Sequence, residues 1–148
     1  MNFRQFLVGV AALWMFTGCD TPLYEFEKSF PNEQWTYQDS LQFQYAHPEK
    51  SVQQLKVGFQ VSNAYPYRNL FLKFRIEDPA GKQMTVTPDF ILMDSLGTWH
   101  IGGSEVHDFE FVMNPEATLE PGNYKISVAQ YMRTDTLAGV RSFSFRVE

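Results

Sequence analysis

Two runs of alternating apolar and polar residues stand out between residues 52 and 77. In the first, Leu55, Val57, Phe59 and Val61 fall on one face, with Lys56, Gly58 and Gln60 on the other. In the second, Leu70, Leu72, Phe74 and Ile76 share a face opposite Phe71, Lys73 and Arg75. A period of two predicts strands with one face on a core and the other partly in water, as antiparallel sheets allow. Between the runs, Ser62-Asn63-Ala64-Tyr65-Pro66-Tyr67-Arg68-Asn69 is rich in turn formers. Pro66 holds Tyr65 extended there, which predicts a corner.

The same alternation recurs along the chain. Residues 23–28 predict a first strand or edge segment that ends at Phe30-Pro31-Asn32, with Trp35 in the loop or short turn that follows. Leu41, Phe43 and Tyr45 against Gln42 and Gln44 predict another strand, and His47-Pro48-Glu49-Lys50 a solvated turn. Asp78-Pro79-Ala80-Gly81 turns into a strand over residues 82–87 with Met84 and Val86 inward, broken at Pro88. Residues 89–94 are a short apolar run, strand or loop cover, and residues 95–103 a glycine-rich loop around Trp99. Three more core faces follow: Phe109, Phe111 and Met113; Tyr124, Ile126 and Val128; and Phe143, Phe145 and Val147. Residues 114–122 read as a polar connection between the first two. About eight short strands joined by Pro and Gly turns predict an all-β fold, an antiparallel β-sandwich of jelly-roll type, over residues 23–148.

Composition sharpens this picture in three ways. A chain of 148 residues makes one domain with a sizeable core, and 14 Phe with 7 Tyr favour strands. Acidic residues exceed basic ones to give a net charge of −5, and Lys and Arg are scattered, which argues against a nucleic-acid partner. A single cysteine, Cys19, leaves no intrachain disulfide and no cysteine-based metal site.

Residues 1–18 have the form of a secretory signal, with Arg4 in a short positive region before an apolar run too short to span a bilayer comfortably. The run ends at Phe16-Thr17-Gly18-Cys19, which resembles the bacterial lipobox, with Phe16 where leucine is usual. That resemblance implies lipidation of Cys19, a tether over residues 19–22 and a membrane partner reached through the lipid. It places the folded part in the cell envelope, in the periplasm or at the cell surface, with the outer membrane the favoured host.

Signals for chemistry are sparse. His100 and His107, near Glu105 and Asp108, match no metal-ligand spacing, and alternation puts His107 and Asp108 on opposite faces. Ser95, Ser104 and Ser142 lack a nucleophile elbow or an activating base nearby, and Glu25 with Glu27 reads as a solvated strand face. No glycine loop for phosphate is present. The reading is a non-enzyme without a cofactor. Trp35, Tyr65, Tyr67 and Trp99 remain as candidate binding aromatics, able to stack on a sugar ring or anchor a protein, against the alternative that they close the ends of the core.

The corner Asn63-Ala64-Tyr65-Pro66-Tyr67-Arg68-Asn69-Leu70-Phe71-Leu72 resembles the Asn-x-Tyr-Pro-aromatic-x-Asn-Leu-aromatic segment of the gliding motility lipoprotein GldH family. Gly97-Thr98-Trp99, the segment from Gly122 through Tyr124 and Val128 to Met132-Arg133, and Leu137-Ala138-Gly139-Val140 with Phe145-Arg146-Val147-Glu148 match in the same order. Ser144, where glycine is expected, and His100 in the tryptophan loop depart from it. The resemblance implies a non-catalytic envelope lipoprotein, an accessory component of gliding motility and its associated secretion machinery. Its partners would be other envelope proteins, and Cys19 alone carries over with a defined role. A carbohydrate- or peptidoglycan-binding sandwich is the alternative.

Overall fold

The computed structural model describes residues 21–103 and 105–148; the signal segment, Cys19 and Ser104 lie outside the described residues. Eleven strands form among them: β1 (Tyr24–Ser29), β2 (Gln34–Thr36), β3 (Leu41–His47), β4 (Ser51–Ser62), β5 (Asn69–Glu77), β6 (Gln83–Val86), β7 (Asp89–Ile91), β8 (Val106–Leu119), β9 (Gly122–Gln130), β10 (Thr136–Ala138) and β11 (Val140–Val147). One sheet has the order β1-β11-β4-β8 and the other β3-β9-β5-β6, with β7 also paired to β5. Every pairing is antiparallel. Successive long strands alternate between the sheets, which is the jelly-roll arrangement of the sandwich.

Aromatic contacts across the gap hold the sheets together. Phe26 of β1 stacks on Phe43 of β3 at 4.2 Å, and Phe43 meets Phe145 of β11 at 5.3 Å. Phe143 of β11 lies between Phe74 of β5 (6.3 Å) and Trp35 of β2 (5.8 Å). Phe90 of β7 meets Phe111 of β8 at 4.9 Å. Offset and edge contacts of this kind add to the burial of large apolar surface.

Several local readings are corrected. Trp35 lies in β2, fully buried, because β2 and β10 form a short ribbon at the end of the sandwich that pairs Trp35 with Leu137. His47 belongs to β3 and is buried, its ring nitrogens satisfied by the Tyr45 hydroxyl at 2.8 Å and the Ser51 hydroxyl at 2.9 Å. Met84 is 52% exposed, because β6 is an edge strand with only its last residue leaning on the core. Residues 114–119 are strand and not connection: β8 continues past Asn114, with register shifts against β4 around Leu55. Pro115 is tolerated because β8 is an edge strand. Pro88 divides β6 from β7, which pair with successive parts of the same edge of β5.

The two ends of the sandwich differ. β1 enters at one end, where Leu23 N donates to Val147 O at 2.8 Å and Tyr24 pairs with Val147. The turns after β3, β5 and β8 lie at this end too. The corner after β4, the Trp99 loop and the β2–β10 ribbon gather at the other end.

Candidate functional site

The far end is built from segments distant in sequence. Tyr65 N closes a turn on Ser62 O at 3.0 Å, and the Tyr65 hydroxyl donates to Asn69 O at 2.7 Å, so one side chain ties both sides of the corner. Gly139, at φ 83°, packs against the Tyr65 backbone, where a Cβ would collide with Tyr65 N and Cα. Ser62 N donates to Gly139 O at 2.8 Å, and the Ser62 hydroxyl donates to Glu33 Oε2 at 2.6 Å. The ribbon and the corner therefore lock each other.

The Trp99 loop closes the adjacent quarter. Trp99 bridges to Met93 and lies 4.1 Å from the His107 ring, nearly parallel to it. His107 is buried, with Nδ1 3.0 Å from Ile101 O and Nε2 2.9 Å from Asn63 Oδ1. Both ring nitrogens are engaged, so the ring holds loop and corner together. Among the described residues no group of three His, Cys, Asp or Glu is placed to hold a metal ion. Asp94 Oδ1 accepts from Leu96 N at 2.8 Å and Thr98 N at 2.9 Å. The Thr98 amide first, then Leu96, His100 and Arg68, hold its carboxyl below the usual range, because each favours the charged form.

The four candidate aromatics part company here. Trp35, at 0% exposure, and Tyr65, at 2%, are core residues and have no face to offer a ligand. Trp99 is half-buried, with one face on His107. Tyr67 is half-buried against Tyr65 at 5.9 Å. Tyr67 lines, with Pro66, Arg68, Asn69, Ile91 and Met93, a surface depression of about 540 Å³.

Beside that depression lies an apolar patch that alternation alone did not single out. Phe71 of β5, Ile91 of β7 and Tyr131 after β9 are 37%, 47% and 46% exposed. Asn69 pairs with Ile91 and Phe71 with Asp89, which makes Phe71 and Ile91 diagonal neighbours on the outer face. Tyr131 N donates to Phe71 O at 2.8 Å, and Lys73 Nζ stands 5.1 Å from the Tyr131 ring centroid. The signal was present in the sequence: Phe71 is the aromatic among the outward residues of the second alternating run. Which residues of β7 and of the chain after β9 lie beside it depends on strand order.

Elsewhere the outer faces are mixed, with Val52 on β4, Val112 on β8 and Met84 on β6 exposed among polar neighbours. Gln42, Gln44, Arg75, Glu77, Lys125 and Ser127 line a broad hollow of about 700 Å³ on the β3-β9-β5-β6 sheet. None of the four candidate aromatics lies there. On the opposite sheet Glu25 and Glu27 border a shallow depression of about 240 Å³ over Gly58. Arg146 there meets Glu25 at 3.2 Å and Glu110 at 2.9 Å, so Glu25 is part of an ion-pair network and not one of a free carboxylate pair.

Residues 22–147 match the GldH lipoprotein family. A relative from Christiangramia forsetii, a gliding motility lipoprotein GldH homolog, is 27% identical over 145 residues, covering 90% of this chain and 88% of its own. Among solved structures, a family 35 carbohydrate-binding module from Clostridium thermocellum aligns with 76% of this chain and 95% of its own at 14% identity, with a TM-score of 0.37. TmCBM61, solved in complex with β-1,4-galactotriose, aligns with 78% of this chain and 68% of its own at 18% identity, with a TM-score of 0.31. Three of the segments that carry the sequence resemblance, the Tyr-Pro corner, the Trp99 loop and the Leu137–Gly139 turn, meet at the far end of this sandwich, and the match spans nearly all of the chain: the chain belongs to the GldH lipoprotein family.

Proposed function

We propose that the protein is a non-catalytic, lipid-anchored component of the cell envelope that serves gliding motility, and the secretion associated with it, by binding another envelope protein. The carrying observation is the exposed patch of Phe71, Ile91 and Tyr131 beside the Tyr67 depression, at the end of the sandwich opposite the entry of the chain from Cys19. Apolar and aromatic side chains grouped on a surface are costly in water and mark contact sites. Arg68 and Lys73 at its border suit a partner with an acidic rim, and such a rim sets the rate and specificity of association more than its affinity. Lipidation at Cys19 would hold the opposite end to the membrane, the outer membrane being the favoured host. The family match and the lipobox support this reading.

The test is in-cell cross-linking of tagged protein followed by identification of what co-purifies, with membranes fractionated in parallel. The wild type should recover gliding or secretion components from the outer-membrane fraction. Cys19→Ala should lose both the fraction and the partners, whereas Phe71→Glu with Ile91→Glu should stay anchored and folded but recover partners at least several-fold less. Recovery unchanged by the double substitution would reject the patch. The absence of any envelope partner in the wild type would reject the assembly role.

A further inference from the structure

Among the described residues, the near end of the sandwich is not closed as the far end is. A cavity of about 330 Å³ opens between the sheets there, walled by Leu55, Ile76, Leu119, Ile126, Phe145 and Val147. Interiors are normally packed with few voids, because a gap deprives its lining of contacts. Met84 and Tyr124 line it as well without filling it: Met84 is 52% exposed, and the Tyr124 hydroxyl is tied to Glu120, accepting from its N at 2.8 Å and donating to its O at 3.1 Å. The residue of β8 at this point is the small Ala117, just past the register shifts opposite Leu55. The volume falls at the low end of the range of about 300–1,000 Å³ that small-molecule sites occupy. Asp78, Lys82, Asn114, Thr118 and Glu120 give the cavity a polar rim over apolar walls.

The described chain begins beside this cavity. Tyr24 pairs with Val147, which lines it, and the Tyr24 ring is 5.0 Å from that of Tyr45, which also lines it. Four peptide steps separate Cys19 from Leu23, a span of about 14 Å at most. We propose that the cavity takes one acyl chain of the lipid carried on Cys19, seating the near end of the sandwich against its own anchor. An acyl chain supplies what the cavity lacks, a flexible apolar occupant that leaves no polar group unpaired inside, with its ester end at the polar rim. The inference rests on the lipidation of Cys19 proposed above.

The experiment uses cells fed a fatty acid bearing a diazirine, expressing the full-length protein, with cross-links mapped by mass spectrometry after irradiation. The label should enter the wild type and be absent from Cys19→Ala. Cross-links within the same polypeptide should fall on peptides that contain Leu119, Phe145 or Val147. Ala117→Phe, which narrows the cavity, should lower that internal yield several-fold while membrane anchoring is kept. Label on Cys19 with cross-links only to lipids, to other proteins or to the outer faces of the sheets would overturn the acyl-chain site and leave the anchor standing. A wild type without label would overturn the lipidation reading, and the site with it. Internal cross-links in the wild type alone decide the question should Ala117→Phe fail to fold.

Discussion

Tyr65 shows how much a single side chain holds at the far end. Its ring is buried in the corner, its hydroxyl donates to Asn69 O at 2.7 Å, and Gly139 leans on its backbone. Burial pushes the phenol up from its ordinary 10.0, with Tyr67 and Asp89 adding in the same direction. Because the folded value lies above the unfolded one, the stability from the neutral phenol is complete below about pH 10. It falls as pH rises beyond that, since the unfolded chain releases a proton the folded one keeps. Tyr65→Phe should cost about 0.5–1.5 kcal/mol at neutral pH for the lost hydrogen bond. It should also lessen the alkaline loss of stability, though not abolish it, because Tyr24 and Tyr45 are raised by burial as well. Denaturant titrations of both proteins from pH 7 to 11 check this; an unchanged alkaline slope would take Tyr65 out of that role.

At the scale of elements, the loop after β7 is bonded at its base, where Leu92 N and Met93 N donate to Arg68 O and His100 N to Leu92 O. Its outer part is tied by Trp99 on His107, the His107–Ile101 contact and the Asp94 turn. Such a segment opens locally before the sheets do. Trp99→Ala should therefore cost about 1–3 kcal/mol in stacking and burial. Faster amide exchange should be confined to residues 92–103, with the strands unaltered. Exchange that quickens equally in β4 and β9 would mean that the loop is part of the global core. The edge strands show a second lesson of this scale. β6 exposes Met84, and β8 carries Pro115, because neither has a neighbour on its outer side.

Across the whole molecule, Phe143 joins what the chain order keeps apart. It sits on β11, touches Phe74 of the facing sheet and Trp35 of the terminal ribbon, and is fully buried. A jelly roll has few local contacts to fall back on, since neighbouring strands come from distant parts of the chain. Phe143→Ala should cost about 3–5 kcal/mol. Amide exchange should then rise in both sheets together, measured with the urea midpoint on the same sample. A loss confined to one sheet would show that the two unfold separately.

The long strands and most of their inward faces were legible in the chain, because a period of two needs nothing beyond local geometry to be read. The exposure of Met84 on the edge strand β6 and the continuation of β8 through residues 114–119 were not. The corner at Tyr65-Pro66, the turn at Asp78–Gly81 and the family resemblance were legible for the same reason: each lies in one contiguous stretch. Trp35 and His47 were not, since a short ribbon and a buried hydroxyl pair took them out of the solvent that their local surroundings suggested. Strand order, which side chains of β5, β7 and the chain after β9 share a patch, and the cavity at the near end were decided by tertiary structure alone. These depend on which strands pair and in what register, and pairing between residues far apart in sequence leaves no mark in the pattern of either strand.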